Sequence, residues 1–177
     1  EIVCPSWSPE ALAATLEDVS ADAVFHLAAY GVTPSDRDAD IMHAVNVTAA
    51  ETLVRFAARC GAVMVSAGSS AEYREPPDGN PLDENADIET EKLYGRSKAA
   101  GAERAIAIAA NLRVPIAHLR LFNVYGPGEA EHRLLPTLVS HLLDKRRVPL
   151  SPGLQLRDFV FVGDAVDALK VAARHLQ

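Results

Sequence analysis

The chain has 177 residues, 49% of them hydrophobic, which suits one domain with a sizeable core and argues against disorder. No apolar run is long enough to cross a membrane, and the formal net charge of -7 argues against a nucleic-acid surface, because phosphate binding needs clustered cations. Two cysteines, Cys4 and Cys60, make neither a disulfide framework nor a metal site, which fits reduced thiols in a cytoplasmic protein.

In chain order, Glu1 to Cys4 reads as the tail of a strand. Ser8-Pro9-Glu10 supplies an N-cap with proline at the first helical position, and predicts a helix to about Asp18. Ala23-Val24-Phe25-His26-Leu27 is a short apolar run of the kind a buried parallel strand shows, and Ala28-Ala29 follow it as small residues. After a loop from Gly31 to Arg37, apolar residues recur at Ile41, Val45, Ala49, Leu53, Phe56 and Cys60 with helical spacing. Gly61 stops that helix, and Ala62 to Val65 reads as the next strand.

Ser66 to Glu91, with Pro76, Pro77, Asp78, Gly79 and Pro81, is expected to be a long functional loop. A second long helix is predicted from about Leu93 to Asn111, and a third strand from Val114 to Phe122. A helix from Leu134 to Lys145 follows, ending at Arg146-Arg147, the only basic cluster, read as a solvated helix end. Phe159 to Val162 is a fourth strand, and a last helix runs from Gly163-Asp164 through Leu176. Strands alternating with helices predict an α/β fold, a doubly wound parallel sheet covered on both faces. In such sheets ligands sit beyond the carboxyl ends of the strands.

Tyr94 and Lys98 stand four residues apart at the start of the second long helix, so they share one face. A free phenol has a pKa of about 10 and is a poor base near neutrality; a fixed cation one turn away stabilises its phenolate. A surface tyrosine beside a solvated lysine has the same spacing, so the pair gains meaning only from its neighbours.

Those neighbours are His26-Leu27-Ala28-Ala29, Asn46-Val47, Ser69-Ser70-Ala71-Glu72-Tyr73, Arg120-Leu121-Phe122-Asn123-Val124-Tyr125-Gly126-Pro127-Gly128 and Arg157-Asp158-Phe159-Val160-Phe161-Val162. With Tyr94-x-x-x-Lys98 they give six motifs in one order over nearly the whole chain. In this the sequence resembles the extended short-chain dehydrogenase/reductases, the NAD(P)-dependent nucleotide-sugar epimerases, dehydratases and reductases. The resemblance implies a Rossmann-like fold, with residues 1–122 belonging to the dinucleotide-binding domain and 123–177 to a smaller substrate lobe. It implies NAD or NADP as cofactor, a nucleotide sugar as substrate and a homodimer. Tyr94 would be the acid/base at a sugar hydroxyl. Lys98 would lower its pKa and bind the nicotinamide ribose, and Ser69 would hold the reacting oxygen, with Ser70 beside it. Leu27, Ala28, Ala29 and Leu121 would line the cofactor. Asn123, Arg133 and Arg157 would contact the substrate, whereas His26 and Asn46 are read as structural.

Two departures stand out. The family's N-terminal strand, glycine-rich turn and helix are not found in residues 1–177, so an internal piece of a longer protein with weak cofactor binding of its own is expected. Arg74 stands where the family has glycine after Tyr73, with an expected effect on that loop, and Gly163 where it often has aspartate. Sugar 4,6-dehydratases carry an Asp-Glu pair where this chain has Ser70-Ala71, so a 4-epimerase or 4-ketoreductase is the expected activity. The rival reading is a non-catalytic NAD(P)-binding or regulatory protein on the same fold.

Overall fold

The computed structural model describes residues 3–33, 35–76 and 79–177. The strand residues expected at Glu1 and Ile2, and the loop residues Pro34, Pro77 and Asp78, lie outside these. Three parallel strands, β1 (Ala23–His26), β2 (Val63–Ser69) and β3 (Ile116–Leu121), form one sheet in the order β1-β2-β3. Two shorter strands, β4 (Asn123–Tyr125) and β5 (Phe159–Phe161), pair in parallel as a separate sheet. The helices are α1 (Pro9–Thr15), α2 (Ala39–His43), α3 (Ala49–Cys60), α4 (Leu93–Leu112), α5 (Leu134–Leu143) and α6 (Val162–Leu176). A π-helical turn, Ala44–Thr48, joins α2 to α3, and a 3-10 turn, Ser70–Glu72, follows β2.

Local chemistry sets the helix ends. Ser8 Oγ accepts from the Ala11 N–H at 3.1 Å ahead of Pro9, and Asp38 caps α2 through the amides of Asp40 and Ile41. Gly61 closes α3 in the left-handed conformation, φ 69°, where a side chain would be strained. The pleat then sorts the strand residues between two faces. Val24 and Met64 pack with Val54, Ala57, Ala105 and Ala109 of α3 and α4, while Val63 and Val65 pack with Leu169 and Ala173 of α6. Both faces of the sheet are therefore covered, as the α/β reading requires.

Four expectations change. Val3 and Cys4 lie outside any strand. The helix expected as one piece through residue 60 is interrupted by the π turn, in which Asn46 is buried. The stretch expected as a loop from Ser66 is strand as far as Ser69, because β3 offers a parallel partner to each residue from Ser66↔His118 to Ser69↔Leu121. Hydrophobic periodicity does not see that ladder, since the small residues Ser66, Ala67, Gly68 and Ser69 carry it. Finally, the strand expected to end at Phe122 stops at Leu121 when the β2 ladder ends, and Asn123 to Tyr125 pair instead with Phe159 to Phe161. The fourth strand therefore belongs to a second sheet.

Two glycines let α4 lie directly on neighbouring backbone. A Cβ at Gly95 would run into the carbonyl oxygen of Ala71, and one at Gly101 into that of Asn46. Alanine is worth about 1 kcal/mol over glycine in an exposed helix interior. Here the overlap is with backbone, so Gly101→Ala is expected to destabilise by about 1–3 kcal/mol, measured by urea unfolding of the full-length protein. Unchanged or raised stability would show that α4 sits further from the π turn than this packing requires.

His26, at the end of β1, is buried and has its pKa lowered from 6.5 to about 4, first by burial and then by the charges of Lys98 and His118. Its folded value lies below its unfolded one, so between pH 6.5 and about 4 the unfolded chain binds more protons. Stability is therefore expected to fall as pH drops through that window, by up to about 3 kcal/mol. In His26→Gln that part of the fall should vanish from the pH dependence of the urea midpoint; an identical slope in both proteins would remove His26 as its source.

Candidate active site

Ser69 is the last residue of β2, in extended conformation, and it opens the 3-10 turn. The turn is closed by a capping box with Glu72: the Ser69 N–H donates to Glu72 Oε1 at 2.8 Å, and Ser69 Oγ accepts from the Ala71 N–H at 3.2 Å. Ser70 is the first residue of that turn, and Leu121 is the β3 partner of Ser69. Tyr94 and Lys98 stand one turn apart at the start of α4, as the spacing predicts. Lys98 is buried, and its Nζ donates to the Ala67 carbonyl oxygen at 2.9 Å, two residues before Ser69. The carboxyl end of β2 thus collects Ser69, Tyr94 and Lys98.

The electrostatics differ from expectation. The Tyr94 phenol has its pKa raised, above all by burial and also by the negative charge of Glu72, against a hydrogen bond with Ser69 and the charge of Arg133. The cation that opposes the rise is Arg133, not Lys98. The lysine is directed to the Ala67 carbonyl, and burial lowers its own pKa while Glu72 raises it. Lys98 is not among the charges that set the direction of the phenol's shift here.

Arg133, the residue preceding α5, reaches the same site through its charge on Tyr94. Asn123 opens β4 with its Nδ2 donating to the Asp158 carbonyl oxygen at 2.9 Å, which sets it beside exposed Arg157 at the entry to β5. Leu27, Ala28 and Ala29 follow β1, with Leu27 59% exposed at the carboxyl edge of the sheet. Asn46 exchanges hydrogen bonds with both the N–H and the carbonyl of Tyr30, and donates to Ser97 Oγ, a structural role. Arg74 keeps out of the left-handed region, its N–H donating to the Asp87 carbonyl and its guanidinium to Thr90.

Sequence reasoning missed the group beneath Ser69. Glu72 is completely buried, and its Oε2 accepts from His118 Nε2 at 2.9 Å and Arg120 Nε at 3.0 Å. Burial pushes the Glu72 carboxyl up, but the bonds from His118, Ser69 and Arg120 leave it below its ordinary value. An ionised carboxylate only accepts, so His118 carries its proton on Nε2, and Nδ1 faces Ser66 Oγ at 2.7 Å. Arg120 Nη1 also donates to the Tyr73 hydroxyl at 3.1 Å. The available signal was the Ser-x-x-Glu capping box at Ser69 and Glu72. A small cavity under Lys98 is lined by His26, Asn46, Ser66 and His118.

Among the described residues no helix is long and apolar enough to cross a membrane, and no cluster of potential metal ligands occurs. Over 151 residues the chain is 30% identical to the dTDP-glucose 4,6-dehydratase of Streptomyces griseus, covering 84% of this chain and 46% of that protein. It is 31% identical over 140 residues to the dTDP-6-deoxy-L-talose 4-dehydrogenase (NAD(P)(+)) of Kitasatospora kifunensis, covering 75% of this chain and 44% of that one. The UDP-glucuronic acid 4-epimerase of Bacillus cereus, solved in complex with NAD, superposes with a TM-score of 0.76 at 25% identity, over 93% of this chain and 52% of that one. The chain spans about half the length of the curated relatives it matches. The model of the NAD dependent epimerase/dehydratase family matches residues 5–177, and the chain belongs to that family.

Proposed function

We propose that the protein containing this chain is an NAD(P)-dependent nucleotide-sugar 4-epimerase or 4-ketoreductase with Tyr94 as its acid/base. The observation that carries the reading is the convergence of Ser69, Tyr94 and Lys98 at the carboxyl end of β2, where a parallel sheet presents its ligands. The exposed Leu27 and the small Ala28 and Ala29 at the neighbouring end of β1 leave room for a cofactor, with Leu121 beside Ser69 on the other flank. Lys98, Leu27, Ala28, Ala29 and Leu121 would hold NAD(P), which would supply hydride chemistry at the sugar carbon. Tyr94 takes or returns the proton of the hydroxyl on that carbon, and Ser69 hydrogen-bonds the same oxygen. Lys98 holds the nicotinamide ribose, while Asn123, Arg133 and Arg157 bind the substrate's diphosphate side.

The raised pKa of Tyr94 makes the protonated phenol its resting form. It is thus ready to donate to a keto oxygen, and its work as a base depends on the positive nicotinamide ring of an oxidised cofactor. Dehydration needs a further acid and base beside Ser69. Ser70 and Ala71 supply neither, and the nearby carboxylate of Glu72 is buried and occupied by three donors. This supports hydride chemistry without loss of water, although a 4,6-dehydratase stands among the relatives.

In the full-length protein Tyr94→Phe is expected to lower turnover about 10²–10⁴-fold with cofactor affinity unchanged, measured with NAD or NADP and a panel of UDP-glucose, UDP-glucuronic acid and dTDP-glucose. Activity within tenfold of the unmodified protein would sink the assignment. Lys98→Ala should weaken cofactor binding in a fluorescence titration as well as turnover, and intact affinity there would remove the ribose role. Mass spectrometry of the products should show no loss of water; a 4-keto-6-deoxy sugar would make the enzyme a dehydratase.

A further inference from the structure

We infer that Glu72 is a positioning residue for Ser69: its buried carboxylate, itself aimed by His118 and Arg120, fixes the backbone of the residue that holds the reacting oxygen. The inference rests on the reading of Ser69 just given and adds a residue to it.

The geometry has three parts. One carboxylate oxygen takes the Ser69 N–H at 2.8 Å, which sets the peptide from which the Ser69 side chain projects. The other takes His118 Nε2 and Arg120 Nε, both from β3, at 2.9 and 3.0 Å. His118 and Arg120 are the sheet partners of Ser66 and Gly68, so the two donors lie along the strand pair that ends at Ser69 and Leu121. Glu72 therefore joins the strand end, the turn and the adjacent strand through three hydrogen bonds with no solvent exposure. Gly68 is part of this fit, since a Cβ there would meet both the His118 ring and Glu72 Oε1, the latter at 2.6 Å. Ser69 Oγ has a competing local use, accepting from the Ala71 N–H at 3.2 Å. Without the carboxylate on its amide, the serine keeps only the ladder partner Leu121 on its strand side, and nothing fixes its peptide from the side of the turn. A misplacement of about 1 Å at such a group costs about a hundredfold in rate.

The test is a double-mutant cycle in the full-length protein, using whichever of UDP-glucose, UDP-glucuronic acid and dTDP-glucose it turns over fastest. Glu72→Gln keeps the size of the side chain and removes its charge. It is expected to lower kcat about a hundredfold, with KM for sugar and cofactor within about twofold. In a Ser69→Ala background it should cause no further loss, because the group it positions is already gone. Multiplying losses, or a Glu72→Gln protein with unaltered kcat, would overturn the inference. If circular dichroism shows Glu72→Gln unfolded, His118→Phe replaces it, removing one donor to the carboxylate while Arg120 remains. The same loss of effect in the Ser69→Ala background is expected, and additivity again overturns it. Tyr94→Phe run alongside separates the two claims. Retained activity there sinks the proposed function, whereas an inactive Tyr94→Phe with additive Glu72 and Ser69 effects sinks only the role of Glu72.

Discussion

A buried carboxylate governs the layout of the site. Taking Glu72 out of water costs several kcal/mol, and only well-aimed donors offset that cost. Three supply it, from the end of β2, from His118 and from Arg120. Each is held in turn: Ser69 by the ladder to Leu121, His118 by Ser66, and Arg120 by the Tyr73 hydroxyl and by stacking over the Tyr73 ring at 4.7 Å. Slippage of β3 against β2 would strip the carboxylate of its partners. The charge therefore specifies the register of the strand ends more than it adds to stability.

On this platform α4 is laid with almost no gap. Gly95 meets the backbone of Ala71 in the same turn, and Gly101 meets the π turn at Asn46. Lys98 stands between these two close approaches, which is why its ammonium reaches the Ala67 carbonyl and is buried. The same closeness buries the Tyr94 phenol and raises its pKa. Close packing thus favours the protonated form of Tyr94.

The second sheet is built differently. β4 and β5 form a sheet of their own, joined to the rest by the turn after Leu121 and by α6, which follows β5. Asn123 lies there half-buried and Arg157 exposed, and α5 has no buried residue in this chain. Arg133 connects this side to Tyr94 through its charge.

The sequence by itself determined the alternation of strands and helices, the caps at Ser8 and Gly61, and the placing of Tyr94 and Lys98 one turn apart on α4. These follow from periodicity, side-chain capping and helix geometry, which act over a few residues. Only the tertiary structure decided that β2 runs on to Ser69, that β4 leaves the main sheet for β5, and that Lys98 bonds Ala67 and leaves the phenol raised. It also decided the partners of Glu72, because His118 and Arg120 lie more than forty residues away and meet it only when β3 pairs with β2. Ladder hydrogen bonds and desolvation depend on what the fold sets alongside a residue, and no local pattern carries that information.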